Sequence, residues 1–238
     1  MPPASIGLRL ARLDWPALAR GLDAQGYATV PALLTAEECA ALARSFTDDR
    51  RFRATVDMAR HRFGVGRYRY FAEPLPPLVA ALRAHAYRGL APIANRWMEA
   101  LGLPGRFPPT LGAFRSACAA RGQRRPTPLL LRYEAGGYNC LHQDLYGAVF
   151  FPLQLTCLLS RPGTDFRGGE LLLVEQRPRA QSRGVVVALA HGDAAIFPTR
   201  WRPVAGTRGL LRAAVRHGVS PLTAGARTAL GIIFHDAA

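Results

Sequence analysis

The chain has 238 residues, 49% of them hydrophobic, with 31 basic side chains against 16 acidic ones and a formal net charge of +15. That length buries a substantial core, as one large domain or as a catalytic core with an N-terminal extension. No low-complexity segment or internal repeat is present, so repeat architectures are excluded. Met1 to Gly21 lacks the continuous apolar run of a signal peptide. The longest apolar stretch, around Ala148 to Leu159, is too short to cross a bilayer and contains Gln154. A soluble cytoplasmic protein with no membrane partner is expected. Cys39, Cys118, Cys140 and Cys157 form no Cys-x-x-Cys pair, which argues against a zinc or iron–sulfur site and suits a reducing compartment. Every basic residue is Arg. GC-rich coding explains Arg in place of Lys but not the surplus of positive charge, which favours polyanions and makes nucleic acid the natural partner.

In chain order, Asp14 is a cap for a helix running to about Gln25, with Pro16 in its first turn. Gly26 to Val30 is strand-like, and Thr35-Ala36-Glu37-Glu38 opens a further helix with a capping-box pattern. A longer helix is expected from about Pro77 to Leu101. Between these helices, residues 60–71 mix arginine, aromatics and glycine more densely than any other part of the chain. One reading is a substrate lid at about 55–71. Arg60, Arg62, Arg67 and Arg69 then contact phosphates, Tyr68 and Tyr70 stack on exposed bases, and the glycines allow movement. The other reading is a hairpin whose aromatics cover the core and whose arginines are solvated. Residues 1–126 are thus expected to be a helical support region.

From Pro128 onward the pattern changes to short β-rich runs separated by Gly, Pro and polar turns. The runs are Leu129 to Tyr133, Tyr138 to Gln143, Phe150 to Leu159, Glu170 to Glu175, Val185 to Leu189, Ala194 to Phe197, Ala213 to Val219 and Thr228 to Phe234. Eight such runs imply an α+β fold in which residues 127–238 form a double-stranded β-helix, or jelly roll, braced by the N-terminal helices into one compact unit.

Chemistry concentrates in this second half. His142 and Asp144 are separated by one residue, so on a strand they share a face with Cα atoms roughly 6 to 7 Å apart. His217 must return on a neighbouring strand. Two imidazoles and one carboxylate can occupy one face of an Fe(II) ion and leave positions open for an organic acid and dioxygen. Arg227, ten residues beyond His217, supplies a rigid two-pronged donor suited to a carboxylate. Each has a duller reading: His-x-Asp as a surface pair, Arg227 as a surface arginine at a strand start, Tyr133 as a core tyrosine with a wet hydroxyl. Cys140 shares the face of His142 and Asp144 if the strand extends back to it, and otherwise is a small buried hydrophobe. Arg216 should point to the face opposite His217. Four other histidines are not expected to be ligands: His85 lies on a helix with no partner at metal spacing, His191 in a Gly-Asp turn, His235 at the C-terminal edge and His61 in the possible lid.

On these residues the chain resembles the Fe(II)/2-oxoglutarate-dependent dioxygenases, most closely the prolyl-hydroxylase type of catalytic domain. The resemblance spans roughly residues 127 to 236. It includes Leu-Arg-Tyr-Glu-Ala-Gly-Gly-Tyr-Asn before His-x-Asp, Phe-Arg-Gly-Gly-Glu-Leu (166–171), His-Gly-Asp-Ala-Ala-Ile-Phe (191–197) and the segment from His217 to Arg227. It implies that His142, Asp144 and His217 bind Fe(II), that Arg227 holds the distal carboxylate of 2-oxoglutarate with help from Tyr133, and that ascorbate is a candidate reductant. Decarboxylation of 2-oxoglutarate to succinate and carbon dioxide is then coupled to hydroxylation of a substrate C–H bond. Many procollagen-type prolyl hydroxylases carry Lys where this chain has Arg227, which weakens transfer of their substrate. Three functions compete: oxidative dealkylation of nucleic acid in DNA repair, favoured by the charge; peptidyl or free-proline hydroxylation; and a non-catalytic jelly-roll binding module.

Overall fold

Side-chain caps set most of the helix starts. Ser5 caps α1 (Ile6–Ala11). Asp14 accepts the Ala17 amide at 2.9 Å to start α2 (Trp15–Gln25), and Gly26 ends it with φ 85°. Thr35 and Glu38 exchange hydrogen bonds in a full capping box at α3 (Ala36–Ser45). The long helix α4 (Pro77–Ala100) and a shorter α5 (Leu111–Ala119), capped by Thr110, complete the helical layer. The computed structural model describes residues 4–207 and 209–238.

The strands are β1 (Ala28–Val30), β2 (Phe52–Asp57), β3 (Gly64–Val65), β4 (Arg67–Phe71), β5 (Leu129–Glu134), β6 (Tyr138–His142) and β7 (Leu153–Leu158), followed by β8 (Phe166–Gly168), β9 (Leu171–Gln176), β10 (Arg183–Val187), β11 (Ala194–Pro198), β12 (Trp201–Gly206), β13 (Gly209–Val219) and β14 (Leu222–Ile232). The pairs are antiparallel. The main sheet runs β1-β11-β7-β14-β5-β4-β2, with β8 also on β14. The smaller sheet runs β10-β9-β13-β6-β3, with β12 also on β13. Together they make the double-stranded β-helix.

The two faces of the main sheet differ in what they bury. Leu153, Leu155 and Cys157 of β7, with Leu230 and Ile232 of β14, pack with helical residues such as Leu22, Leu90 and Trp97. The alternate residues Gln154 and Thr156 line a cavity between the sheets, as a two-residue side-chain period requires. Helices cover the outside and the site lies inside.

Several elements were not foreseen. Pro203 lacks an amide donor and breaks the strand pattern, yet among the described residues β12 pairs only with β13, and an edge position tolerates proline. The helices α1 and α5 are short, and β8 has three residues. Both β13 and β14 begin earlier than their apolar runs suggest, because exposed residues such as Leu210, Arg212 and Ala224 extend the ladder. The segment read either as a lid or as a hairpin is strand-built: β4 pairs with both β2 and β5, and β3 pairs with β6. Among the described residues, no helix is long and apolar enough to cross a membrane.

Candidate active site

Register brings the histidines together. His217 of β13 lies directly opposite His142 at the end of β6, and directly opposed residues point to the same face. Their ring centroids are 4.1 Å apart. Asp144 follows just beyond the end of β6 and closes the group, with Oδ2 3.2 Å from His217 Nε2 and Oδ1 3.6 Å from His142 Nε2. The candidate ligand atoms of all three lie within 4.8 Å of one another. Nδ1 of His142 sits 2.8 Å from the Cys140 carbonyl, which fixes a proton there and leaves Nε2 as the free donor atom. Two imidazole nitrogens and one carboxylate oxygen converge as the donor set for Fe(II) requires.

The electrostatics follow from burial and proximity. Burial opposes the Asp144 carboxylate, but hydrogen bonds and charge from His142 and His217 outweigh it and hold the group well below the usual carboxylate range. Burial also opposes a charged His142, yet Asp144 and the Cys140 carbonyl overcome it and raise its pKa. For His217, burial and the neighbouring His142 prevail and lower it. Tyr146 donates to Asp144 Oδ1 at 2.6 Å, so one carboxylate oxygen is anchored from outside the triad.

A cavity of about 380 Å³ opens over the triad. On its opposite wall, Arg227 of β14 and Tyr133 of β5 are direct ladder partners and both are buried. The Arg227 guanidinium stands 5.8 Å from the Tyr133 ring and 6.0 Å from the Phe166 ring. Its Nε is buried with no hydrogen-bond partner, and no ion pair reaches it among the described residues. Glu170, the carboxylate whose field reaches it, is instead hydrogen-bonded to the Ser220 hydroxyl. Burial therefore lowers the Arg227 pKa. Gly169 makes room for this side chain: a Cβ there would meet Arg227 Cδ at 3.1 Å, and its φ of +67° suits glycine. The Tyr133 hydroxyl accepts from Asn139 Nδ2 at 3.3 Å, and burial pushes its pKa up to about 12.

The remaining residues singled out by sequence divide by strand parity. Tyr68 and Tyr70 line the cavity, and Arg62, with φ 59°, lies at its rim beside Phe63. Arg60 and Arg67 are exposed outside the cavity, with Arg60 4.0 Å from Asp57. Arg69 does not contact the cavity. It is buried on the other side of β4, where it bonds the Phe46 carbonyl, Thr55 Oγ1 at 2.9 Å and Asp49 at 2.6 Å, and stacks 4.3 Å from the Phe52 ring. The Arg-Tyr-Arg-Tyr alternation is that of a strand, so its arginines and tyrosines face opposite ways. Cys140 lines the cavity and is exposed, which corrects the reading of a buried hydrophobe. Arg216 is exposed on the far face from His217, as expected. His235 is buried, accepts the Phe151 amide and lies 5.8 Å from the Tyr146 ring, beside the ligand group rather than in it.

Sequence reasoning missed Tyr146, Asn139 and Gln154. Gln154 Nε2 is buried without a partner beside the cavity. A polar side chain inside an apolar strand run was its available signal.

The model of an oxygenase family described as catalysing oxidative methylation of damaged DNA matches residues 66–237. The chain belongs to that oxygenase family. Two uncharacterised proteins from strains of Mycobacterium tuberculosis are each 48% identical over 168 residues, covering 71% of this chain and 72% of the relative. Among solved structures, a Pseudomonas putida prolyl-4-hydroxylase matches with TM-score 0.56 at 16% identity, covering 94% of this chain and 99% of that one. A 2-oxoglutarate-Fe(II) oxygenase family oxidoreductase from Burkholderia pseudomallei matches with TM-score 0.57 at 16% identity, covering 95% and 93%. These structures share the fold. The protein is thus an oxygenase by family, and its His142–Asp144–His217 group is a donor set that could hold a metal ion.

Proposed function

We propose that this oxygenase removes alkyl groups oxidatively from nucleic-acid bases, with His142, Asp144 and His217 holding Fe(II) and Arg227 and Tyr133 holding the distal carboxylate of 2-oxoglutarate. The observation that carries the reading is the single cavity with a three-ligand group on one wall and a buried, unpaired guanidinium on the other. An unpaired buried charge is costly, and a bound carboxylate offsets that cost with paired hydrogen bonds. Bound Fe(II) supplies the activation of dioxygen that couples 2-oxoglutarate decarboxylation to substrate hydroxylation.

The chain's own residues arrange the rest. Cys140 O and Tyr146 orient His142 and Asp144. Leu129, Leu131 and Phe197 supply apolar walls that limit water. Tyr68 and Tyr70 present rings to a planar guest. The nucleic-acid reading is supported by the description of the family and by the net charge of +15. Hydroxylation of an N-methyl group gives a hydroxymethyl amine that releases formaldehyde and restores the base.

The test is succinate and formaldehyde production with Fe(II), oxygen and 2-oxoglutarate, in the presence of methylated single-stranded DNA, a proline-rich peptide or neither. Stimulation of both products by the DNA is expected. Stimulation by the peptide alone overturns the nucleic-acid reading in favour of prolyl hydroxylation.

A further inference from the structure

We propose that Arg200, Trp201 and Arg212 form a platform that grips the phosphodiester backbone of a single strand whose base enters the cavity; this rests on the nucleic-acid reading above. None of the three belongs to the basic aromatic segment that the sequence pointed to. Trp201 opens β12 opposite Ala214 of β13, while Arg212 is opposite Pro203. Arg212 is therefore the diagonal neighbour of Trp201 on one face of the hairpin. Its guanidinium lies 4.5 Å from the indole centroid, and that of Arg200 lies 3.8 Å away. Phe150 meets the same indole edge-on at 6.1 Å.

A guanidinium stacked on an aromatic face is held by its π surface, so its in-plane N–H groups remain free for an anion. Stacking also restricts a long side chain before any ligand arrives, which reduces the ordering cost on binding. Neither Arg200 nor Arg212 makes an ion pair among the described residues, nor does the exposed Arg216 farther along the same face of β13. Arg202, next to Trp201 in sequence, gives the contrast: it is fully buried and bonded to Glu175 at 2.5 Å. Like charges held together without acids repel, and a polyanion removes that repulsion.

The platform is tied to the site. Gln143, the residue between His142 and Asp144, lines the cavity and donates to the Arg200 carbonyl at 3.2 Å and the Val215 carbonyl at 2.9 Å. The Val215 amide also donates to the Arg200 carbonyl at 2.7 Å. The backbone carrying the first guanidinium is thus fixed to the segment that carries two of the three ligand residues. A single strand is the fitting occupant, because a base already out of a duplex enters a cavity at the lowest unstacking cost.

The experiment is fluorescence anisotropy of a single-stranded oligonucleotide with the full-length protein across a range of KCl, comparing wild type, Arg200→Gln/Arg212→Gln and Trp201→Leu. A control, Arg12→Gln/Arg88→Gln, removes the same charge from exposed positions at the helical layer. Each lost phosphate contact lowers the slope of log affinity against log salt by about 0.7, so the first double variant should lose about 1.4. The control should lose little. Trp201→Leu should weaken binding while keeping most of the slope. Binding of 2-oxoglutarate with Mn(II) should be the same in all four proteins. A salt-dependent wild type with an unchanged slope in Arg200→Gln/Arg212→Gln overturns the platform and leaves the substrate reading standing. A wild type that does not bind DNA at all overturns both.

Discussion

Two regions of this molecule bury arginine, and they treat it oppositely. Behind the main sheet, Arg83 is fully buried but donates to the Ile233 and Phe234 carbonyls at 3.0 and 2.8 Å and to Asp236 at 2.7 Å. Between the sheets, Arg227 is 3% exposed and has two aromatic rings in place of a carboxylate. The first charge is satisfied by its own chain and serves the fold. On the proposed reading the second is left for a ligand, because a desolvated guanidinium without a partner gains most from an acid that arrives later.

The largest effect expected on this contrast comes from the other wall of the cavity. Asp144→Ala removes the carboxylate that both histidines face, and turnover should fall to the metal-free baseline with Mn(II) affinity reduced by more than about 100-fold. A titration followed by electron paramagnetic resonance reads this directly; retained Mn(II) binding would sink the triad assignment.

Substituting each buried arginine by methionine sharpens the comparison itself. Arg83→Met leaves the Asp236 carboxylate with only Arg115 as an ion-pair partner among the described residues, and denaturant unfolding should show a loss of about 3 kcal/mol. Arg227→Met removes a buried charge that makes no ion pair among the described residues, so the ligand-free protein should be as stable as wild type or more so. Its affinity for 2-oxoglutarate should drop by about 10- to 150-fold, the equivalent of 1.5 to 3 kcal/mol for a charged hydrogen bond. Equal destabilisation by both variants would erase the distinction.

Smaller effects test the supports. Tyr146→Phe keeps the ring and removes the hydrogen bond to Asp144, and should weaken Mn(II) binding by about 10- to 100-fold with little change in unfolding. At the satisfied end, burial opposes the Glu175 carboxylate, but Arg177 and Arg202 outweigh it and depress its pKa. A depressed folded value means the unfolded state takes up protons first as pH falls. Stability from this group is present above the unfolded value of about 4.3 and is lost below it. Glu175→Gln should flatten the pH dependence of unfolding in that range; an unchanged acid limb would show that the pair contributes nothing there.

How much of this was legible depended on whether local pattern or tertiary packing decided it. Caps at Asp14 and Thr35 were readable because the helix start is made by side chains within three residues. His142, His217 and Arg227 were readable because strand parity is local, and Asp144 because its short spacing from His142 holds even though it lies just beyond β6. Arg69 was misjudged because composition was read without parity: the same alternation that turns Tyr68 and Tyr70 inward turns Arg69 outward to Asp49. Tyr146 depends on how a loop closes over the cavity, which no short-range pattern encodes, whereas Gln154 was marked only by its polarity within an apolar strand run. The Arg200–Trp201–Arg212 stack is likewise made by hairpin register, with Pro203 hiding the strand that creates it.

The central claim is that Arg227 waits for the second carboxylate of a keto acid. Calorimetry of the Mn(II)-loaded protein with 2-oxoglutarate and with 2-oxobutyrate isolates that carboxylate, because both ligands present the same keto-acid head to the metal. Binding of 2-oxoglutarate should be tighter by about 10- to 150-fold, and Arg227→Met should abolish the difference. Equal affinity of the two acids for the wild-type protein would contradict the account.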